Sequence, residues 1–289
     1  VQAYGDLEAA LRDRFDAAVI CTPAHLHISM ARDLARAGIH LFIEKPLSTS
    51  LDGIVELREE LQTRNLLAAV AYVYRAHPVL KAMKEAVGDG RFGRPVQLVA
   101  VCGQHFPKYR PAYRETYYRD RATGGGAIQD ALTHVFNAGE WLVGAIDHIV
   151  ADAAHKVLEG VEVEDTVHML ARHGDVLGCY SLNQHQAPNE VTITVVCESG
   201  TAQFEFHRQR WRWMTDPGGI WTDESIGELP RDGLFEIQAR QFLNALEGRE
   251  PPLCSLDEAF HTLQVNQAAL RSVDNQRWEP VKSAGHRDE

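Results

Sequence analysis

The chain has 289 residues, room for two ordinary domains, and its 45% hydrophobic and 24% charged residues are an average globular composition. No apolar run approaches the roughly 20 residues that span a bilayer. A net charge of -11 and a pI near 5.7 argue against nucleic acid or a membrane surface as the main partner, since both reward clustered Lys and Arg, so a small-molecule partner in a cytoplasmic protein is expected.

Residues 1–15 read as a turn and a short helix. Short apolar runs follow at 17–21, 41–43 and 66–71, each bounded by polar residues, as suits parallel strands buried on both faces. Between the first two, Thr22-Pro23 offers an N-cap and a first-turn proline, and Ile28, Ala31, Leu34 and Ala35 recur at helical spacing up to Gly38. Between the second and third, Thr49 with Asp52 resembles a capping box, and Leu51, Ile54, Val55, Leu57 and Leu61 line one face. Right-handed crossovers turn this order into part of a doubly wound α/β sheet, whose ligands bind beyond the carboxyl ends of the strands. Those ends carry Cys21-Thr22-Pro23 and Glu44-Lys45-Pro46. The sole G-x-G-x-x-G, Gly88 to Gly93, follows a helical pattern and precedes a strand, so it reads as a turn rather than a phosphate cradle.

From Pro95 onward the pattern alternates, with Val96, Leu98, Ala100 and Cys102 on one face. Similar runs recur at 149–157, 166–171, 176–182, 191–197 and 202–206, with turns such as His173-Gly174-Asp175 between them. Helical patterns at 126–142, 235–246 and 256–273 cover one side of this largely antiparallel sheet, giving an α+β domain whose bare face is a candidate oligomer surface. A boundary near His77-Pro78 divides the chain into residues 1–77 and 78–289, and the polar end from Lys282 to Glu289 reads as a frayed tail.

Two constellations can carry chemistry. Lys45, at a strand's carboxyl end, can offer positive charge to a developing alkoxide; the plain alternative is a surface lysine paired with Glu44. In the second, Gly124-Gly125-Gly126 precedes a helical run in which Asp130 and His134 share a face, extended by Asn137. A histidine suits proton exchange near neutrality, and an aspartate one turn away can fix its tautomer; a merely helix-stabilising pair is the alternative. The five cysteines, without a C-x-x-C pair, read as free thiols. Among the 14 histidines His25 and His27 alternate without completing a ligand spacing, so no metal is expected; His168, His185 and His207 read as strand residues.

Thr22-Pro23 with His27, then Ala37-Gly38-x-His40-x-x-x-Glu44-Lys45-Pro46, Arg75-x-x-Pro78 and Gly124-Gly125-Gly126-x-x-x-Asp130-x-x-x-His134, in that order, resemble the Gfo/Idh/MocA family of glucose-fructose oxidoreductase and inositol 2-dehydrogenase. Residues 242–251 and 255–259 are similar to that family's closing helix, turn and helix. The resemblance implies an NAD- or NADP-dependent dehydrogenase acting on CH–OH groups of a sugar or polyol, a homodimer or homotetramer joined through the open sheet face. It implies that Thr22, Pro23, His27, Glu44 and Lys45 border the cofactor. Lys45, Asp130 and His134 would be the catalytic trio, with Tyr72, Arg75, Tyr118 and His134 toward substrate. Tyr74, Tyr113 and Tyr117 join Tyr72 and Tyr118 as candidate cleft aromatics.

Leu132 and Asn137 stand where the family usually has Gly and Asp. The resemblance also implies a preceding strand, glycine turn and acidic ribose-binding residue, without which dinucleotide binding is expected to be weak or absent. Two alternatives stay open: a non-redox binding or oligomer-forming protein on the same fold, and a glycosidase that uses a retained NAD.

Overall fold

The computed structural model describes residues 2–225, 227 and 229–281; the expected tail from Lys282 lies outside them. After a short α1 (Leu7–Ala10), strands β1 (Ala17–Ile20), β2 (His40–Ile43) and β3 (Ala68–Val70) form a parallel sheet in the order β1-β2-β3, with Ala17 opposite His40 and Leu41 opposite Ala68. Helices α2 (His27–Arg36) and α3 (Ile54–Thr63) make the crossovers. Ile28, Ala31, Leu34 and Ala35 of α2 are buried against the sheet, as their spacing predicts.

Both expected helix starts differ from the structure. A 3₁₀ turn at Ala24–Leu26 separates Pro23 from α2, and the Thr22 hydroxyl contacts Met30 Sδ at 3.4 Å instead of capping. Helix α3 begins at Ile54 behind Gly53, whose φ of 74° is the left-handed conformation glycine tolerates, so Thr49 and Asp52 form no capping box. Val55 is exposed, and the buried stripe is Ile54, Leu57 and Leu61.

Helix α4 (Pro78–Gly88) and the Gly90 and Gly93 turn, both at φ 75°, lead into β4 (Pro95–Gly103). A four-residue α5 (Phe106–Tyr109) and three 3₁₀ turns precede a π turn, Ile128–Leu132, which continues into α6 (Thr133–Val143). Then follow β5 (His148–Ala154), β6 (Thr166–His173), β7 (Val176–Asn183), β8 (Glu190–Cys197), β9 (Gly200–Glu205), β10 (Arg210–Met214), β11 (Thr222–Ser225), α7 (Gly233–Leu246), α8 (Leu256–Asn275) and β12 (Glu279–Pro280). The second sheet runs β11-β10-β9-β8-β4-β7-β6-β5-β12, parallel only between β4 and β7. Strands β10, β11 and β12 were not expected from the pattern. Alternation puts Leu98, Ala100, Val167, Met169, Tyr180, Ile193 and Phe204 into the core beneath α4, α6 and α8, while Val101, Leu170 and Leu177 stay exposed opposite.

Helix α8 serves both cores. Its start, with Leu256, Ala259, Phe260 and Leu263, packs under the parallel sheet, and Val265, Ala268 and Ala269 pack under the large one. A capping box closes that start, Ser255 accepting from the Glu258 N–H and Glu258 accepting from the Ser255 N–H. The Val70 N–H donates to Cys254 O at 3.0 Å, bringing the segment before α8 against β3.

Candidate active site

Lys45 lies two residues past the end of β2, where the parallel sheet opens. Beneath it His27 is buried, its ring nitrogens 3.0 Å from Pro46 O and 2.7 Å from Thr22 O, so it ties the loop after β1 to the loop after β2. Burial keeps its pKa below the usual histidine range although these carbonyls act the other way.

Each glycine of the triplet before Asp130 meets a steric demand. Gly124 and Gly126 have φ of 99° and 92°, and a Cβ on Gly125 would lie 2.0 Å from Tyr118 O. The buried Glu164 carboxylate accepts from the Ile128 N–H at 3.2 Å and from Arg121 Nε at 2.9 Å, an anion placed at a helix N-terminus. The next turn is wide, with the Thr133 N–H reaching Ile128 O five residues back. This turn presents both the main chain and the side chain of Asp130 to Lys45. Lys45 Nζ donates to Asp130 O at 2.8 Å and lies 3.3 Å from Asp130 Oδ1, which also accepts from the Tyr117 hydroxyl at 2.8 Å.

Burial alone would raise the Asp130 pKa, but the Lys45 charge, the Tyr117 hydroxyl and nearby His134 outweigh it and hold it below the usual carboxylate range. His134 moves the other way from a free imidazole. Desolvation first, then the charges of Lys45 and Arg110, push it down to about 3 against the pull of Asp130. Its Nδ1 is buried without a hydrogen-bond partner, and its ring packs on Tyr72 and Tyr74, with centroids 6.0 and 5.6 Å away. A neutral imidazole with spare hydrogen-bonding capacity beside a fixed ammonium can accept a hydroxyl proton while the ammonium stabilises the oxygen left behind.

Two cavities meet at this group, both lined by Lys45, Arg110 and His134. One, on the parallel-sheet side, adds Cys21, Thr22, Pro23, Glu44, Tyr117 and Phe235. The other, about 150 Å³, lies against the large sheet and adds Tyr74, Gln104, Phe106, Asp130 and Gln184. Thr22, Pro23, Glu44, Lys45, Asp130 and His134 are thus brought together.

His27, Tyr72, Arg75 and Tyr118 do not line these two cavities, and their side chains are held by other groups of the protein. The Tyr72 hydroxyl pairs with Thr133 Oγ1 at 3.1 Å. Arg75, 4% exposed, donates to Asn137 at 2.8 Å and Glu258 at 2.7 Å and lies over the Trp141 ring. Tyr118 donates to Gln184 and packs on Phe106, and Tyr113 donates to Glu159 O. Of the five tyrosines considered, Tyr74 and Tyr117 line the cavities.

Arg110, Gln184 and Glu164 went unnoticed in the sequence. Arg110 and Gln184 stand in a loop and just past a strand without a motif. Glu164 acts on a helix 36 residues away along the chain.

Residues 1–72 match a family model described as the oxidoreductase family, NAD-binding Rossmann fold, and residues 80–203 match the GFO/IDH/MocA C-terminal domain. The chain is 24% identical over 286 residues to myo-inositol 2-dehydrogenase of Thermotoga maritima, covering 96% of this chain and 83% of that protein. It is 26% identical over 215 residues to levoglucosan dehydrogenase of Pseudarthrobacter phenanthrenivorans, covering 66% and 55%. With that relative and an uncharacterized oxidoreductase of Synechocystis, matched over 54% of its length, the aligned part spans about half of the relative. A levoglucosan dehydrogenase in complex with NADH and levoglucosan superposes with a TM-score of 0.87 at 20% identity, over 97% of this chain and 84% of that one. The WlbA dehydrogenase from Bordetella pertussis, in complex with NADH and UDP-GlcNAcA, gives 0.80 at 23% identity, over 96% and 83%. These likenesses show a shared fold.

Proposed function

The chain belongs to the Gfo/Idh/MocA oxidoreductase family, and from that premise we propose that it oxidises a CH–OH group of a sugar, polyol or related cyclic substrate with NAD or NADP. The observation that carries this reading is the meeting of Lys45, Asp130 and His134 where two cavities join, one below the carboxyl ends of β1 and β2 and one against the large sheet.

The residues fit a nicotinamide cofactor: the parallel-sheet cavity has Thr22, Pro23, Glu44 and Lys45 on its walls, and the unpartnered His134 Nδ1 adjoins it. When bound, the cofactor supplies the hydride acceptor. His134 takes the hydroxyl proton, the C–H electron pair leaves with the hydride, and the alcohol carbon becomes a carbonyl. Lys45 holds the developing negative charge on the oxygen, and Asp130 aims the ammonium. His27 holds the two loops that carry Thr22 and Lys45. The exposed sheet face with Val101, Leu170 and Leu177 is the subunit contact surface of a homodimer or homotetramer.

The test is to mix the chain with NAD or NADP and a panel of cyclitols, aldoses and anhydro-sugars and follow reduction of the cofactor. Stoichiometric reduction with one class of sugar is expected. Release of a sugar from a glycoside without net reduction would instead support the retained-cofactor hydrolase.

A further inference from the structure

Resting on the oxidoreductase reading, we propose that the substrate carries an anionic group, a carboxylate or a phosphate, received by the Arg110 guanidinium and the Gln184 carboxamide.

The first argument is charge. Lys45, Asp130 and Arg110 are the Lys, Arg, Asp and Glu side chains on the walls of the large-sheet cavity. Lys45 and Asp130 form a pair, 16% and 13% exposed, and cancel. Arg110 has no salt-bridge partner among the described residues, so the large-sheet cavity keeps one uncompensated positive charge, and Glu44 stands only on the wall of the parallel-sheet cavity that Arg110 also lines. The low pKa of His134 registers the same field, with Arg110 among its causes behind burial and Lys45.

Gln184 is fully buried and is held by its main chain on both sides, its N–H donating to Asp165 O at 2.9 Å and its carbonyl accepting from the Phe106 N–H at 2.9 Å. Its side-chain oxygen accepts from the Tyr118 hydroxyl. The remaining group, the Nε2 amide, has no partner among the described residues, yet the residue is on the cavity wall. A buried donor left unmade is costly, and native structures supply its acceptor. The neighbouring Asn183 amide is occupied, donating to Gln186 Oε1 at 2.8 Å, so of these two adjacent carboxamides it is Gln184 that keeps a donor for a ligand. A neutral polyol leaves the guanidinium charge unanswered, whereas a planar carboxylate or a phosphate meets a fork of donors and a second N–H together.

The experiment uses the full chain with saturating cofactor and pairs of sugars that differ only at one terminal carbon: an aldose, its uronic acid and its terminal phosphate, in several configurations. At least one acid or phosphate should exceed its neutral partner by about tenfold or more in kcat/KM, through KM, and the preferred anion identifies the group. Arg110→Gln should raise KM for that anion about tenfold and narrow the anion-to-neutral ratio, Arg110→Lys should recover part of it, and Gln184→Leu should narrow it as well. Preference for the neutral member in every active pair, or an unchanged KM for the anion in Arg110→Gln, would overturn the inference and leave the oxidoreductase reading standing. Absence of turnover with every pair and both cofactors would overturn that reading and this inference with it.

Discussion

An aspartate beside a histidine ordinarily makes the imidazole more basic, yet His134 falls to about 3 because burial and two cations outweigh one carboxylate that Lys45 already neutralises. The free protein therefore presents a neutral base through the acidic range. For substrate oxidation, kcat/KM should show no acid limb from a histidine near 6.5 and stay level down to about pH 5. A break near 6.5 that vanishes in His134→Gln would show that Asp130 governs the ring after all. His134→Ala should lower kcat by about 10²–10⁴-fold, and Lys45→Ala by roughly 10²–10³-fold, each with a thermal midpoint near that of the parent. Near-normal turnover in either variant would remove that residue from the chemistry. Lys45, Asp130 and His134 were legible because each stands in a motif at a strand end or on one helix face. Arg75 also stands in a motif, but spacing does not say which way a side chain turns, and Asn137 and Glu258 hold it inside.

The glycine triplet shows how an element is set by what surrounds it. The sequence marks a helix start there, but the reasons for three glycines, the positive φ of Gly124 and the approach of Tyr118 O to Gly125 and of Glu164 to Gly126, arise only in the fold. Gly125→Ala would drive a methyl into a backbone carbonyl, which the wall of the site cannot yield cheaply. We expect a loss of about 1–3 kcal/mol in urea unfolding, together with lower kcat as Asp130 shifts. Gly88→Ala, whose Cβ would meet only the flexible Lys84 Nζ at 3.6 Å, is the control and should leave both measurements near the parent values. Equal behaviour of the two variants would mean that the triplet relaxes freely. The π turn left no trace in the periodicity, which reads 126–142 as one helix. Strands β10 and β11 escaped for another reason: Arg210-Trp211-Arg212-Trp213 alternates, with Trp211 in the core and Trp213 packed against it, but over only four residues, and its partner Thr222–Ser225 has no apolar residue.

At the scale of the whole molecule, the two sheets and their order were legible from the change of period at Pro95. The double service of α8 was not, because a single amphipathic pattern does not say that its first turns face one core and its later turns another. Several buried histidines are held toward the uncharged form by the fold, and they set its response to acid. His77 is 1% exposed, packs edge-on to Phe204 at 4.9 Å and has an unpartnered Nδ1; burial lowers its pKa to about 4. His27 and His173 are lowered as well, burial outweighing their carbonyl partners. A depressed folded pKa means that the unfolded chain binds the proton first, so stability is fully present above the unfolded pKa near 6.5 and falls as pH drops toward the folded one. For His77 that window runs from 6.5 to about 4 and corresponds to about 3 kcal/mol. His261, raised by Glu140 despite burial, works in the opposite sense, its contribution lost as pH rises through its folded pKa, but it is one against four, His134 included. The urea midpoint should therefore decline steadily from pH 7 to pH 4.5. His77→Phe, which keeps the aromatic contacts and removes the buried nitrogen, should flatten that decline, whereas an unaltered slope would place the acid sensitivity in the carboxylates that Arg75 and Lys45 hold.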